Sequence, residues 1–228
     1  MIKNILNLGD AALYCDFGDD VNKEINSTVI KYFQTLKNEK IEGINNLTPS
    51  YNKLIISFDL KKTNFKKMCK IIENISINEK DSLSSNRIEI PVCCEENFSL
   101  DISRLEKKLK LGRDKIFDNF FSKEYFCYMT GFIAGMPFVG DLHNNLRAER
   151  LETPRVKVPK GSIGITEQFA NVYTFESPGG WNIIGNTPKK IFNNKKELQP
   201  NLINPGDIII FKNIDLKEYN DYSEWKLF

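Results

Sequence analysis

Glycine and proline are concentrated after residue 130, and this uneven distribution limits the length of every regular element there. Of the 13 Gly and 9 Pro in the 228-residue chain, only four Gly and two Pro lie before residue 130. Because both residue types interrupt helices and strands, the pattern predicts helix-rich sequence first and short strands with tight turns after it. We therefore expect an α+β fold with two different halves.

The first half predicts two helices alternating with strands. Apolar and polar residues alternate from residue 10 to residue 17, which is typical of a half-buried strand. Asp20 or Asn22 can cap a helix that continues to about residue 38. The remaining elements are strands over residues 41–48 and 53–59, a second helix after Thr63, and a strand over residues 87–93. The β-α-β-β-α-β order predicts a ferredoxin-like domain over residues 1–95.

Residues 96–124 predict a helical connector between the two halves. Ser99 can cap its first helix and Gly112 can stop it, and a second helix is expected over residues 114–121. From residue 125 to residue 214, short apolar runs alternate with turns. Short strands at such spacing are typical of a closed barrel or a sandwich.

The last fourteen residues, 215–228, form a polar tail with regularly spaced aromatic residues. These are Tyr219, Tyr222, Trp225 and Phe228. A spacing of three drifts around an α-helix and makes no continuous apolar face. Two interpretations stay open: the tail packs on its own domain or is disordered, or it docks on a partner protein.

Composition excludes several classes of function. A net charge of +2 does not favour binding to nucleic acid. No apolar run has the length of a membrane helix, and the N-terminus lacks a signal-peptide core, so we expect a cytoplasmic protein. The five cysteines are an odd number without metal-ligand spacing, so we expect free thiols in a reducing compartment and no metal site.

The usual catalytic motifs are absent from the sequence. The only histidine, His143, lies in a polar loop and is expected to be a surface residue rather than a catalytic base. The segment GWNIIGNT, residues 180–187, comes close to a phosphate-binding P-loop, but Asn186 stands where that loop needs lysine. We therefore predict a strand ending in a turn at this segment. The catalytic residues stay unknown.

A set of residues in the second half could still bind a small polar ligand. Arg155 could clamp a carboxylate or phosphate with two hydrogen bonds. The segment SPGG, residues 177–180, could present converging main-chain amides. The remaining candidates shape or wall a pocket, and the predicted substrate-binding set is Arg155, Ser177, Gly179, Gly180, Trp181, Gly131, Phe132, Gly135, Met136 and Pro137. Each could equally shape a turn or fill the core.

The motifs of the second half resemble, as a set, the family of the B subunit of bacterial 5-oxoprolinase. They read GFIAGMPF from residue 131, TPR from 153, VPKGSIGI from 158, SPGGWNIIG from 177 and PGD from 205. This is the same family as allophanate hydrolase subunit 1, and it was also described as a sporulation-kinase inhibitor. The likeness extends from about Gly9 to Phe211.

The resemblance implies a ferredoxin-like N-terminal domain and a cyclophilin-like β-barrel. It also implies two partners, a homologous, carboxyltransferase-like C subunit and the A subunit of 5-oxoprolinase. Together they would open 5-oxoproline to glutamate in an ATP-dependent reaction, with ATP and Mg shared among the three proteins.

Two alternatives follow from the same family. One is a non-catalytic regulatory protein or histidine-kinase inhibitor. The other is a carboxyltransferase component of the allophanate hydrolase or urea carboxylase type. For this second alternative a partner must supply biotin, because this chain has no biotin site.

Two of the departures from the family pattern bear on catalysis. Phe120 stands where the family usually has a histidine, shortly before the Glu124-Tyr125 pair. Residues 166–171 read TEQFAN where the family has G-G-x-Q-T-G. These differences favour either a divergent paralogue with an altered substrate or a protein without catalysis of its own.

Overall fold

The computed structural model describes residues 1–77 and 85–222. The chain divides into two compact units, Met1–Ser84 and Ser85–Phe228. The division lies before the strand that the sequence pattern placed at the end of the first domain.

The first unit contains a four-stranded antiparallel sheet and two helices. The sheet order is β1-β2-β4-β3, and every neighbouring pair is antiparallel. The elements are β1 (Asn4–Asn7), β2 (Ala12–Asp16), α1 (Lys23–Glu39), β3 (Ile44–Pro49), β4 (Lys53–Phe58) and α2 (Phe65–Asn74).

Side-chain capping and apolar spacing explain both helices of this unit. The Asn22 side chain accepts a hydrogen bond from the Ile25 amide at 2.9 Å, so Asn22 is the cap of α1, as predicted. Asn64 caps α2 in the same way through the Lys67 amide, at 3.0 Å. One apolar face of each helix packs in a single core with the inward residues of β2 and β4.

The strand predicted to complete the first domain belongs instead to the second unit. Arg87–Cys93 forms a strand, β5, but it lies in the second unit. The sheet edge beside β2 is instead occupied by β1, which the sequence pattern did not reveal. Because β1 is short and exposed, it carries no alternation of apolar and polar residues that could predict it.

The second unit contains a closed seven-stranded barrel, which confirms the predicted barrel. The strand order is β10-β7-β6-β13-β5-β12-β9. Strands β5 and β13 run parallel from Ile208 opposite Arg87 to Ile214 opposite Cys93. Besides β5, the barrel strands are β6 (Glu124–Thr130), β7 (Pro137–Gly140), β9 (Ser162–Thr166), β10 (Phe169–Val172), β12 (Asn182–Asn186) and β13 (Ile208–Ile214).

The predicted connector forms two helices that belong to the core of the second unit. They are α3 (Ile102–Leu109) and α4 (Arg113–Phe121), and their apolar faces pack with the barrel interior. Two predicted boundaries were wrong. Asp101, rather than Ser99, precedes α3. Lys110, in a left-handed conformation, ends α3 in place of Gly112, and Gly112 stands instead at the start of α4.

Three smaller elements lie outside the barrel. β8 (Arg155–Val158) and β11 (Ser177–Gly179) form a two-stranded antiparallel sheet. The short helix α5 (Leu216–Asp221) begins at Asp215 with reciprocal capping to Glu218. Tyr219 of α5 packs on Phe98 of its own unit with ring centroids 4.5 Å apart. Trp225 and Phe228 of the predicted tail lie outside the described residues.

Candidate functional site at the β8–β11 pair

Arg155 is held in place by a buried carboxylate that precedes α3. Its Nη2 donates to Oδ1 of Asp101 at 2.6 Å, and the Asp101 side chain is 5% exposed. The other carboxylate oxygen, Oδ2, accepts from the Ile183 amide at 2.7 Å, while the Asp101 amide donates to the Ile183 carbonyl at 3.0 Å. Asp101 therefore fixes the guanidinium against β12.

Two polar atoms on the strand pair β8 and β11 have no hydrogen-bond partner among the described residues. They are Nη1 of Arg155 and Oγ of Ser177, and both are buried. Arg155 and Ser177 lie on the paired strands β8 and β11. A buried donor without a partner costs about 1–3 kcal/mol, so such atoms are expected where a ligand or water completes the bonding.

Tyr173 forms the buried floor of this site. It packs with Met136, Val158 and Ile183 in a small apolar cluster. Burial raises the pKa of the Tyr173 phenol, while the side chain of Asn171 and the positive charges of Arg150 and Arg155 act in the opposite direction.

The SPGG segment is placed differently from the prediction. Ser177 and Gly179 are registered opposite Val158 and Arg155, so their main chain belongs to a strand pair rather than to an open loop. A Cβ atom at Gly179 would overlap the hydroxyl of Tyr173. The Tyr173 ring approaches so closely that this position accommodates only glycine.

Gly180 and Trp181 continue from β11 towards the barrel. The Gly180 carbonyl accepts from the Leu151 amide at 2.7 Å. A Cβ atom at Gly180 would lie 3.5 Å from the Arg150 guanidinium, which is an ordinary contact distance, so Arg150 is a second cation beside this segment. Trp181 contacts Phe138 edge to face, with ring centroids 5.5 Å apart.

The loop that carries the other predicted residues is closed by its own main chain. The Gly131 amide donates to the Met136 carbonyl at 3.0 Å. Gly135 has a positive φ of 69°, which favours glycine. Met136 is buried in the cluster with Tyr173, and Pro137 begins β7. Phe132, in contrast, is 68% exposed, so it does not line the site around Arg155.

Comparison with known proteins agrees with this architecture. A family model described as the carboxyltransferase domain, subdomain C and D, matches residues 3–203. The chain is 30% identical to the B subunit of 5-oxoprolinase from Haemophilus influenzae, over 91% of this chain and 96% of the relative. The chain belongs to this family. It is also 29% identical to the corresponding B subunit from Bacillus subtilis, over 96% of both proteins.

The fold resembles that of a much larger enzyme from yeast. The Kluyveromyces lactis urea carboxylase superimposes with a TM-score of 0.78 at 17% sequence identity. The match covers 95% of this chain but 22% of that protein. At this identity the likeness establishes the fold alone. It is consistent with the cyclophilin-like barrel, whereas the ferredoxin-like description of the first unit is not confirmed.

The structure explains the departure from the family pattern at Phe120. This ring is fully buried and stacks on Phe211, with centroids 4.9 Å apart. Its carbonyl accepts from the Tyr125 hydroxyl at 2.7 Å. Phe120 is therefore a core residue. Residues 166–171 join β9 and β10, with Glu167 at a positive φ of 47° in the tight connection.

His143 and the P-loop-like segment both lie in the second unit. His143 lies in a loop and accepts a hydrogen bond from the Asn145 amide at 3.3 Å, at the start of the 3₁₀ turn Asn144–Leu146. The P-loop-like segment forms β12, which confirms the predicted strand.

Within residues 1–77 and 85–222, no cluster of His, Cys, Asp and Glu is arranged to hold a metal ion. None of the described helices has the length and hydropathy needed to span a membrane.

Sequence reasoning missed three residues of this site. Asp101 and Arg150 were not singled out, because each lies in a polar stretch that reads as an ordinary loop or helix start. Tyr173 was assigned only to a strand. The spacing of Asp101 and Arg155 along the chain is 54 residues, and no local pattern predicts an ion pair across that distance.

Proposed function

We propose that the chain is the B subunit of an ATP-dependent complex that opens 5-oxoproline to glutamate together with the A and C subunits. The relatives named as the B subunit of 5-oxoprolinase support this assignment, since they match almost the whole chain. The observation that carries it is the buried Nη1 of Arg155, which has no hydrogen-bond partner among the described residues; the buried Ser177 hydroxyl on the paired strand has none either. These two donors fit the carbonyl or carboxylate oxygens of a lactam acid.

The pairing of Arg155 with Asp101 suits a lactam. Because the carboxylate already neutralises the guanidinium, the free Nη1 offers a directed hydrogen bond without a full unbalanced charge. A lactam carbonyl is neutral in the ground state and gains negative charge as its ring opens. A donor that is fixed before the reaction stabilises such charge without reorganising.

ATP, with Mg, supplies the phosphoryl group that turns the lactam oxygen into a leaving group. The segment that comes close to a phosphate-binding P-loop forms β12. The main chain of β12 pairs with β9. We therefore assign no ATP contact to this segment. In the proposed complex this chain holds and orients the lactam, and nucleotide binding is shared with the partner proteins.

The first experiment measures phosphate release that depends on 5-oxoproline, in the complex purified with the A and C subunits. The variant Arg155→Met is expected to lower kcat/KM by about 30- to 150-fold, because a charge-assisted hydrogen bond contributes roughly 2–3 kcal/mol. Lys157→Met is the matched control, since Lys157 lies on the same strand with its side chain 74% exposed. It should leave kcat/KM unchanged.

A second variant separates binding from folding. Ser177→Ala removes a hydroxyl that has no partner within the described chain, so the free energy of unfolding should not fall. It should still lower kcat/KM by about tenfold. Wild-type kinetics in both Arg155→Met and Ser177→Ala, or no turnover in a correctly assembled complex, would contradict the proposal.

A second candidate function is carboxyl transfer to a urea-like substrate. The description of the matching family model favours it, since that family is a carboxyltransferase domain. The same donors could hold the carbonyl oxygen of urea. The two functions separate when the complex is supplied with urea, bicarbonate, ATP and a biotinylated partner: carboxylation of urea without turnover of 5-oxoproline would favour this candidate.

A further inference from the structure

A cavity of about 360 Å³ lies in the barrel unit and shares only Tyr173 with the Arg155 site described above. It is formed where β12 ends, beside the turn before β9 and the helix α5. Its size falls in the range of small-molecule sites. The residues that line it are Lys160, Gly161, Val172, Tyr173, Thr174, Asn186, Thr187, Pro188, Lys189, Ile191, Phe192, Tyr219, Asn220 and Tyr222.

The lining of this cavity is positively charged. Lys189 contributes an ammonium group, and no Asp or Glu is present among the described residues that line the cavity. Burial lowers the pKa of Lys189, and the negative charge of Glu89 acts in the opposite direction. The exposed carboxylate of Glu89 lies 3.7 Å from the Lys212 ammonium group. The charge of the cavity is therefore not balanced by a carboxylate in its described lining, which favours an anionic ligand.

Lys189 and Thr187 retain hydrogen-bond donors at this surface. The Lys189 Nζ donates to the Glu89 carbonyl at 2.8 Å, and this uses one of its three N–H groups. The Thr187 Oγ accepts from the Lys189 amide at 3.2 Å, which leaves the hydroxyl proton as a donor. An ammonium group and an adjacent hydroxyl are a suitable pair for the oxygens of a carboxylate or phosphate.

The wall that carries these donors is rigid before any ligand binds. Asn186 accepts from the Tyr219 hydroxyl at 2.9 Å and donates to the Lys160 carbonyl at 2.9 Å. The Thr187 amide donates to the Gly161 carbonyl at 2.8 Å. A Cβ atom at Gly161 would lie 2.5 Å from the Thr187 carbonyl oxygen, so this turn requires glycine. Such preorganisation lowers the entropic cost of binding.

Another side of the cavity, formed by Ile191 and Phe192, is apolar. Ile191 is 3% exposed, and the ring of Phe192 contacts Phe175 at 5.7 Å. A ligand that fits both sides carries an oxyanion at one end and a compact apolar body at the other. We propose that this cavity binds a small organic oxyanion, with its charged end on Lys189 and Thr187 and its body against Ile191 and Phe192.

The test titrates the full-length chain with inorganic phosphate and, separately, with benzoate, by calorimetry at constant ionic strength. Sodium chloride at the same ionic strength is the reference. Saturable binding of either probe is expected, and the arms distinguish the ligand classes: preference for phosphate indicates a phosphate ester, and preference for benzoate indicates a carboxylate with an apolar body. Absence of saturable binding in both arms would overturn the proposal.

Variants locate the site. Lys189→Gln and Thr187→Val should each weaken binding by about tenfold or more, whereas Thr187→Ser, which keeps the hydroxyl, should retain it. Lys195→Gln is the matched control, because it removes the same charge from an exposed position outside the cavity. The unfolding midpoint without probe verifies that each variant is folded. Undiminished affinity in folded Lys189→Gln and Thr187→Val would refute the assignment.

Discussion

Arg155 and Lys189 lie in the same barrel unit, but their charges are balanced in different ways. Arg155 meets the carboxylate of Asp101 at 2.6 Å and keeps a single buried donor without a partner among the described residues. Lys189 meets a carbonyl oxygen instead, that of Glu89, at 2.8 Å. One site therefore contains a cation neutralised by an ion pair, and the other contains a cation bound to a neutral acceptor.

This difference separates the ligands that each site favours. A guanidinium that is already neutralised adds direction rather than net charge, so it suits a polar group that is neutral until it reacts. An ammonium group held by a neutral acceptor gains most from a full anion. Two cations in one unit can thus serve different chemistry because their immediate partners differ.

The largest expected effect comes from removing the partner of Arg155. Asp101→Asn leaves the guanidinium partly buried without its counter-charge. We expect the free energy of unfolding to fall by about 3 kcal/mol, since breaking a buried ion pair from one side leaves an uncompensated charge. Urea denaturation followed by circular dichroism measures the change.

The control for this prediction is an exposed ion pair in the same two-stranded sheet region. Lys157 and Glu176 are 3.1 Å apart, with side chains 74% and 56% exposed. Glu176→Gln should change the free energy of unfolding by less than about 1 kcal/mol. If Asp101→Asn cost no more than this control, the Arg155 site would not depend on a buried pair.

A smaller effect is expected from the loop that carries Gly135. Gly135 has a φ of 69°, and a Cβ atom there would overlap the ring of Phe192, which lines the Lys189 cavity. Gly135→Ala should lower the free energy of unfolding by about 2 kcal/mol, from overpacking and backbone strain together. It should also weaken phosphate binding, because Phe192 must move.

Gly9→Ala separates the cost of backbone strain from the cost of overpacking. Gly9 has a similar φ of 65°, but no atom lies within 4 Å of the position its Cβ would take. This variant should cost about 1 kcal/mol, from backbone strain alone. Equal losses in Gly9→Ala and Gly135→Ala, measured by urea denaturation, would show that contact with Phe192 adds nothing.

The smallest expected effect is a pH dependence from Lys189. Burial lowers the pKa of Lys189 below its ordinary value of 10.5, and the nearby charge of Glu89 acts in the opposite direction. Between the folded-state pKa and 10.5 the unfolded chain binds more protons than the folded one. The free energy of unfolding should therefore rise with pH across this window.

Lys189→Gln should remove that alkaline rise. Urea denaturation of wild type and variant over a pH series up to 10.5 measures the difference, and Lys195→Gln again serves as the control. Parallel curves for wild type and Lys189→Gln would show that the ammonium group is fully solvated in the folded chain, so its charge would not differ from that of an ordinary surface lysine.

Much of the secondary structure could be predicted from local patterns. The bounds of β5 were predicted without error, and α1 begins at one of the two predicted caps. These elements are encoded by neighbouring residues, through alternation in a strand and through a side chain that caps a helix. The strand β1 was missed because four mostly exposed residues carry no such signal.

The candidate site was predictable only in part. The glycines and prolines of residues 131–137 and 177–180 marked a region of tight turns, and Arg155 and Trp181 were named within it. Their contacts were not predictable. Ser177 and Gly179 were expected to offer open amides, yet they pair with β8, and Phe132 was expected in a wall but is exposed.

The amino-acid sequence alone is sufficient to predict the family, the barrel and most helices, because motifs and short-range periodicity are local properties of a chain. The sheet to which β5 belongs depends on β13, which lies more than a hundred residues away. The same holds for the ion pair of Asp101 with Arg155 and for the cavity around Lys189. Such contacts form only when folding brings distant segments together, since each depends on positions in space rather than on neighbours in sequence.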